Sequence, residues 1–130
     1  MLQEKVESEI QAIASASLFH RFPDKYCCPL FIDPIDPLFK KVGDMFLRKI
    51  VKEYGGSNHI YFSDPFNELE PRLAESGYLA NASRGIYQTM KDVDDKAVWL
   101  LQGWMFVKNP FWNDDLLRSL LTAIPAGRML

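Results

Sequence analysis

Two short apolar runs, HIYF at 59–62 and AVWLL at 97–101, flank a helical stripe of Leu79, Ala82, Ile86, Met90 and Val93. This alternation constrains the fold more than any other feature. Strands separated by an amphipathic crossover pair in parallel, whereas antiparallel neighbours need only a tight turn. A second stripe, Phe39, Val42, Phe46, Ile50 and Tyr54, precedes the first run; Asp36 can cap it, Pro37 can open it, and Gly55-Gly56 ends it. A third, with Leu116, Leu117, Leu120, Leu121 and Ile124, follows a potential cap at Asn113 and stops at Pro125, after which GRML at 127–130 has the look of a further strand. Helix, strand, helix, strand, helix and incipient strand is the order of an α/β fold with a parallel sheet. Two to three such βα units do not close a barrel, which takes eight strands and typically about 250 residues. The chain is therefore either a small open α/β domain or part of something larger.

The N-terminal segment reads differently. Val6, Ile10 and Ile13 recur at helical spacing among charges, which predicts a short amphipathic helix from residue 2 to about 14. Pro23, Pro29, Pro34 and Pro37 then break regular structure, leaving an irregular loop around an extended CPLFI stretch. The start carries three acidic residues among its first nine and lacks the basic end and apolar run of a signal peptide.

Composition narrows the function classes. With 48% hydrophobic and 25% charged residues the chain has the make-up of a folding protein. A net charge of -2, with no basic run longer than Lys40-Lys41, gives no electrostatic case for nucleic acid. No stretch approaches the roughly 20 apolar residues of a membrane span. Adjacent Cys27 and Cys28 have neither metal-ligand nor disulfide-framework spacing, and His20 and His59 sit in no ligating pattern, so no metal is expected. Neither a GxSxG serine nor a glycine-rich phosphate loop occurs, and no cofactor is expected. Asn81-Ala82-Ser83 matches the N-glycosylation pattern but falls on a predicted helix.

Enzymes of this architecture carry their chemistry at the carboxyl ends of the strands. Here those ends read SDPFNE at 63–68 and QGW at 102–104. Glu68 can donate a proton to a leaving oxygen while Asn67 hydrogen-bonds a neighbouring hydroxyl or amide, although an isolated Asn-Glu pair is also ordinary in loops. Trp104 offers a flat apolar surface on which a sugar ring can stack, and equally a core side chain. Gln102 is a candidate for orienting neighbours. Trp99, inside the apolar run, reads as core, and Trp112, beside a helix start, fits either role.

Three stretches, CCPLFIDPIDPLF, GDMFLRKIVKEYGGSNHIYFSDPFNE and YLANASRGIYQTMKDVDDKAVWLLQGWMF, resemble the central barrel of the α-N-acetylglucosaminidases, glycoside hydrolase family 89. The resemblance runs through about residues 19–130 in one order. It implies a partial (β/α)₈ TIM barrel over 19–130; residues 1–18, read as an extra N-terminal helix, match nothing in the family and the resemblance gives them no origin. It also implies a retaining exo-hydrolase of terminal α-linked N-acetylglucosamine, as in heparan sulfate, with a lysosomal or secretory location. Glu68 matches the family's general acid/base, Asn67 stands beside it, and Trp104 matches a tryptophan lining the sugar pocket. The family's nucleophile comes from a later strand, so the isolated chain is expected to be inactive. Phe19 stands where the family suggests tryptophan, and Asp24 where some relatives have cysteine. The alternative is a non-catalytic α/β carbohydrate-binding or interaction protein derived from that fold. In either case unpaired strand edges favour self-association.

Overall fold

In the computed structural model, the described residues are 13–14, 31–56, 58–66, 70–107 and 109–130. Strands β1 (Ile13–Ala14) and β2 (Phe31–Ile32) pair antiparallel, with Ile13 opposite Ile32. The predicted N-terminal helix lies outside the described residues except at its end, and there Ile13–Ala14 is extended. Pairing with a distant strand overrides the helical spacing of Ile10 and Ile13. Most of the proline-rich loop, with Cys27, Cys28 and His20, also lies outside the described residues.

Helix α1 (Pro37–Tyr54) begins and ends on its own sequence signals. The Asp36 carboxylate accepts from the Leu38 amide at 2.7 Å, and Pro37 occupies a position whose amide would lack a helical partner. Gly55, at φ 78°, closes the helix in the left-handed conformation and donates to the Val51 carbonyl at 2.9 Å. Strand β3 (Ile60–Phe62) follows, then α2 (Ser76–Lys91), β4 (Val98–Leu100), a 3₁₀ turn (Gly103–Phe106) and α3 (Asp114–Leu121). Asn113 caps α3, its side-chain oxygen accepting from the Leu116 amide at 3.0 Å. Helix α3 ends at Leu121, so Ile124 and Pro125 belong to the turn beyond it.

Strands β3 and β4 are parallel, with Tyr61 opposite Trp99. On the other side of β4, Trp99 forms a parallel bridge with Met129, and Leu101 donates to the Leu130 carbonyl at 2.9 Å. The predicted C-terminal strand is thus present as a third parallel rung. The rungs follow one another in chain order, the progression by which barrels grow.

The helix-facing side of this sheet and the helices make the core. Trp99, Leu79, Ala82, Ala97 and Leu120 have no exposed surface, and Ile86 is 2% exposed. Helix α2 packs against α1, α3 and β4. Two glycines permit the approach: a side chain at Gly43 would strike Thr89, and one at Gly85 would strike the Pro34 carbonyl. Arg48 reaches from α1 to the Asp92 carbonyl at 3.2 Å, and Lys40 pairs with the Asp92 carboxylate.

Candidate active-site face

Because β3 and β4 are parallel, their carboxyl ends lie on one face, and both are anchored by the same residue. The Trp99 indole N–H donates to the Ser63 carbonyl at 2.8 Å, while the Ser63 amide donates to the Leu100 carbonyl at 3.2 Å. Trp99 is therefore core, as its place in the apolar run predicts, and its one polar atom holds the exit of β3. Three residues beyond Ser63, Phe66 is 2% exposed, with its ring 6.4 Å from that of Trp112. Trp112 meets Phe106 and Phe111 edge-on at 5.0 and 5.1 Å, which makes it the centre of an aromatic floor.

Between those anchors stands Asp64, which sequence reasoning passed over. Both of its carboxylate oxygens are shut off from solvent and have no hydrogen-bond partner. Burial pushes its pKa above the usual carboxylate value. Its place two residues beyond an apolar strand was visible in the sequence, whereas its isolation was not.

Trp104 lies on the 3₁₀ turn that leaves β4 and is 58% exposed. A tryptophan this open at a strand end is not core. Gln102 is exposed at the same strand end. Asn67 and Glu68 lie outside the described residues; the described chain leads to them from Phe66 and resumes at Glu70.

A second missed group sits where α2 begins, which is the same face because α2 follows the exit of β3. Asp33 is buried; its Oδ1 accepts from the Tyr78 hydroxyl at 3.2 Å and the Ile35 amide at 3.1 Å. Arg72 Nε lies 3.1 Å from Oδ2, an ion pair without hydrogen-bond alignment, and the guanidinium carbon is 5.8 Å from the Tyr78 ring centre. Burial first, and then the Asp33 charge, push the Tyr78 hydroxyl up to about 12. The cluster ties the segment after β2 to the start of α2.

The opposite face carries a different network. His59 Nδ1 lies 2.8 Å from Asp94 Oδ2, which also accepts from the Tyr61 hydroxyl at 3.0 Å. Burial works to raise the Asp94 pKa, but bonds from His59, the Lys96 amide and Tyr61 outweigh it and hold the carboxyl below its ordinary value. His59 is at the amino end of β3, away from the candidate site. Among the described residues no group of three His, Cys, Asp or Glu is placed to hold a metal ion, and no helix is long and apolar enough to cross a membrane.

The comparisons with known proteins agree with this arrangement. The model of the alpha-N-acetylglucosaminidase (NAGLU) tim-barrel domain matches residues 2–130. Human alpha-N-acetylglucosaminidase is 46% identical over 110 residues, covering 84% of this chain and 15% of the human protein. The chain thus spans about 15% of the length of the curated relative it matches. With its parallel strands joined by helices and its family match over nearly every residue, the chain belongs to the alpha-N-acetylglucosaminidase tim-barrel domain family.

Proposed function

We propose that this chain is the acid/base segment of a retaining exo-α-N-acetylglucosaminidase, a glycoside hydrolase of family 89. The observation that carries the reading is Trp104. It stands 58% exposed at the exit of β4, beside the anchored exit of β3 from which the chain leads to Glu68. An open apolar plane at a strand exit suits the binding of a sugar ring, and Glu68 follows the neighbouring strand in sequence.

In this reading Trp104 stacks on the terminal N-acetylglucosamine and Asn67 hydrogen-bonds a substituent of that ring. Glu68, protonated, gives its proton to the glycosidic oxygen as the bond from the anomeric carbon breaks, while a second carboxylate forms an ester to that carbon. Glu68, now ionised, then takes a proton from water, which attacks the same carbon and releases the sugar with its configuration retained. The second carboxylate must stand roughly 5 Å away. We assign it to no residue of this chain, so hydrolysis requires the remainder of the domain. Heparan sulfate as the source glycan and a lysosomal or secretory location belong to the same reading.

Self-association of the isolated chain is the corollary. Ile60, Phe62 and Leu100 are 46%, 62% and 38% exposed on the sheet, and a groove of about 350 Å³ runs between α1 and β3, lined by Phe39, Phe46, Leu47, Ile50 and Ile60. Such apolar surface draws partners in water.

The role of Glu68 is tested in the complete domain with Glu68→Gln. Loss of about 10²–10⁴-fold in turnover of an unactivated α-N-acetylglucosaminide, with azide restoring part of the turnover of an activated aryl glycoside by Glu68→Ala, is expected of a general acid/base. Turnover within a few-fold of the unsubstituted domain would reject the assignment.

A further inference from the structure

We propose that Asn81 is an N-glycosylation site and carries its glycan on the outer side of α2. The inference rests on the secretory location in the reading above and adds a modification to it. Asn81-Ala82-Ser83 is the one Asn-X-Ser/Thr sequence in the 130 residues. Its place inside a helix is no obstacle, because the two residues that define the pattern meet very different surroundings in the folded protein.

Ser83 is 0% exposed, and its hydroxyl has no hydrogen-bond partner. Thr89, also buried on α2, shows how the helix ordinarily satisfies such a group: its hydroxyl donates to the Gly85 carbonyl four residues back at 3.0 Å. Ser83 makes no bond of that kind. A buried hydroxyl without a partner costs stability, and alanine would fill the position without that cost. The folded protein therefore has no use for this hydroxyl. Recognition of the chain before it folds supplies one, since the hydroxyl is the third element of the acceptor pattern.

Residues two apart on a helix point about 200° from one another, so Asn81 looks outward while Ser83 looks into the packing. A transferase that engages both cannot read the folded helix, and transfer precedes the docking of α2. The asparagine nitrogen then bonds to the anomeric carbon of a lipid-linked oligosaccharide. The bond from that carbon to the diphosphate oxygen breaks, the lipid diphosphate departs with the electron pair, and the nitrogen gives up one proton. After folding the product has room. Asn81 is exposed on a stripe with Gly77, Arg84, Gln88 and Lys91, while α1 and α3 flank α2 and β4 lies beneath it. Asn81 Oδ1 accepts from Arg84 at 3.1 Å, and that oxygen is retained in the glycosylated amide.

The test uses the complete protein, produced in cultured eukaryotic cells with a C-terminal tail whose own Asn-X-Thr site reports entry into the secretory lumen. Enzymatic removal of N-glycans in ¹⁸O-water converts a glycosylated asparagine to labelled aspartate. The tryptic peptide 73–84 holds Asn81 as its sole asparagine, so mass spectrometry reads the site directly. We expect the labelled form to predominate, and Asn81→Gln and Ser83→Ala each to lose one glycan in electrophoretic mobility. The Ser83→Ala protein, compared with the parent after glycan removal, is expected to unfold at the same midpoint or a higher one. An unlabelled 73–84 peptide from protein with a modified tail would overturn the proposal. An unmodified tail would instead reject the secretory location, and the proposal with it.

Discussion

The two faces of the β3–β4 sheet are built from equally apolar residues and end in opposite circumstances. On the helix side Trp99 and Tyr61 are 0% and 7% exposed; on the other side Phe62, Ile60 and Leu100 are 62%, 46% and 38% exposed. Strands apolar on both faces are those of sheets covered on both sides. Hydrophobic patterning therefore records a covering that the described residues supply on one face only. Helix α1 repeats the lesson: its stripe is as regular as that of α2, yet it has no buried residue, and Phe46 is 62% exposed.

The difference can be broken by mutation. The largest effect is expected at Trp99: replacement by alanine empties the core and frees the Ser63 carbonyl, costing about 3–5 kcal/mol in denaturant unfolding of the complete domain. A cost below about 1 kcal/mol would mean that the helix side is not the core. Phe62→Ser should behave according to context. In the complete domain it is expected to cost about 2–4 kcal/mol, whereas in the isolated chain it should chiefly raise the monomer fraction in sedimentation, by removing exposed apolar surface. The same destabilisation in both, with no change in association, would abolish the contrast between the faces.

The smallest effect concerns Tyr78. Its hydroxyl is pushed up to about 12, so the folded state holds this proton more tightly than the unfolded chain, whose value is about 10. The resulting stability is fully present below about pH 10 and is lost as pH rises toward 12. Ultraviolet titration should show one tyrosine ionising late, and Tyr78→Phe should remove that step. A Tyr78 that titrates with the exposed tyrosines would dissolve the Asp33–Arg72–Tyr78 cluster.

What the sequence made legible was local. Asp36, Pro37 and Gly55 delimit α1 because a cap, a fixed φ and a left-handed residue act on their immediate neighbours, and Asn113 opens α3 by the same means. Helix α2 starts at Ser76, before the apolar stripe, and that start was not readable because Glu75 makes no side-chain cap bond. Pairings at a distance were not legible: Ile13–Ala14 against Phe31–Ile32 contradicts the local periodicity, and the meeting of Asp33 with Arg72 and Tyr78 follows only from the fold. Trp104, singled out from its strand end, stands exposed there, and its place in a sugar site is the proposal made above. Asp64 was missed because isolation of a carboxyl is a property of packing rather than of spacing.

The central claim is that this chain supplies one half of a catalytic pair. The most direct measurement is hydrolysis of an unactivated alkyl α-N-acetylglucosaminide by the isolated chain and by the chain extended to a complete domain, each with and without Glu68→Gln. Activity in the extended, unsubstituted form alone is the expected result. Hydrolysis by the isolated chain would contradict the claim, because a second carboxylate within these residues would then have to serve as nucleophile.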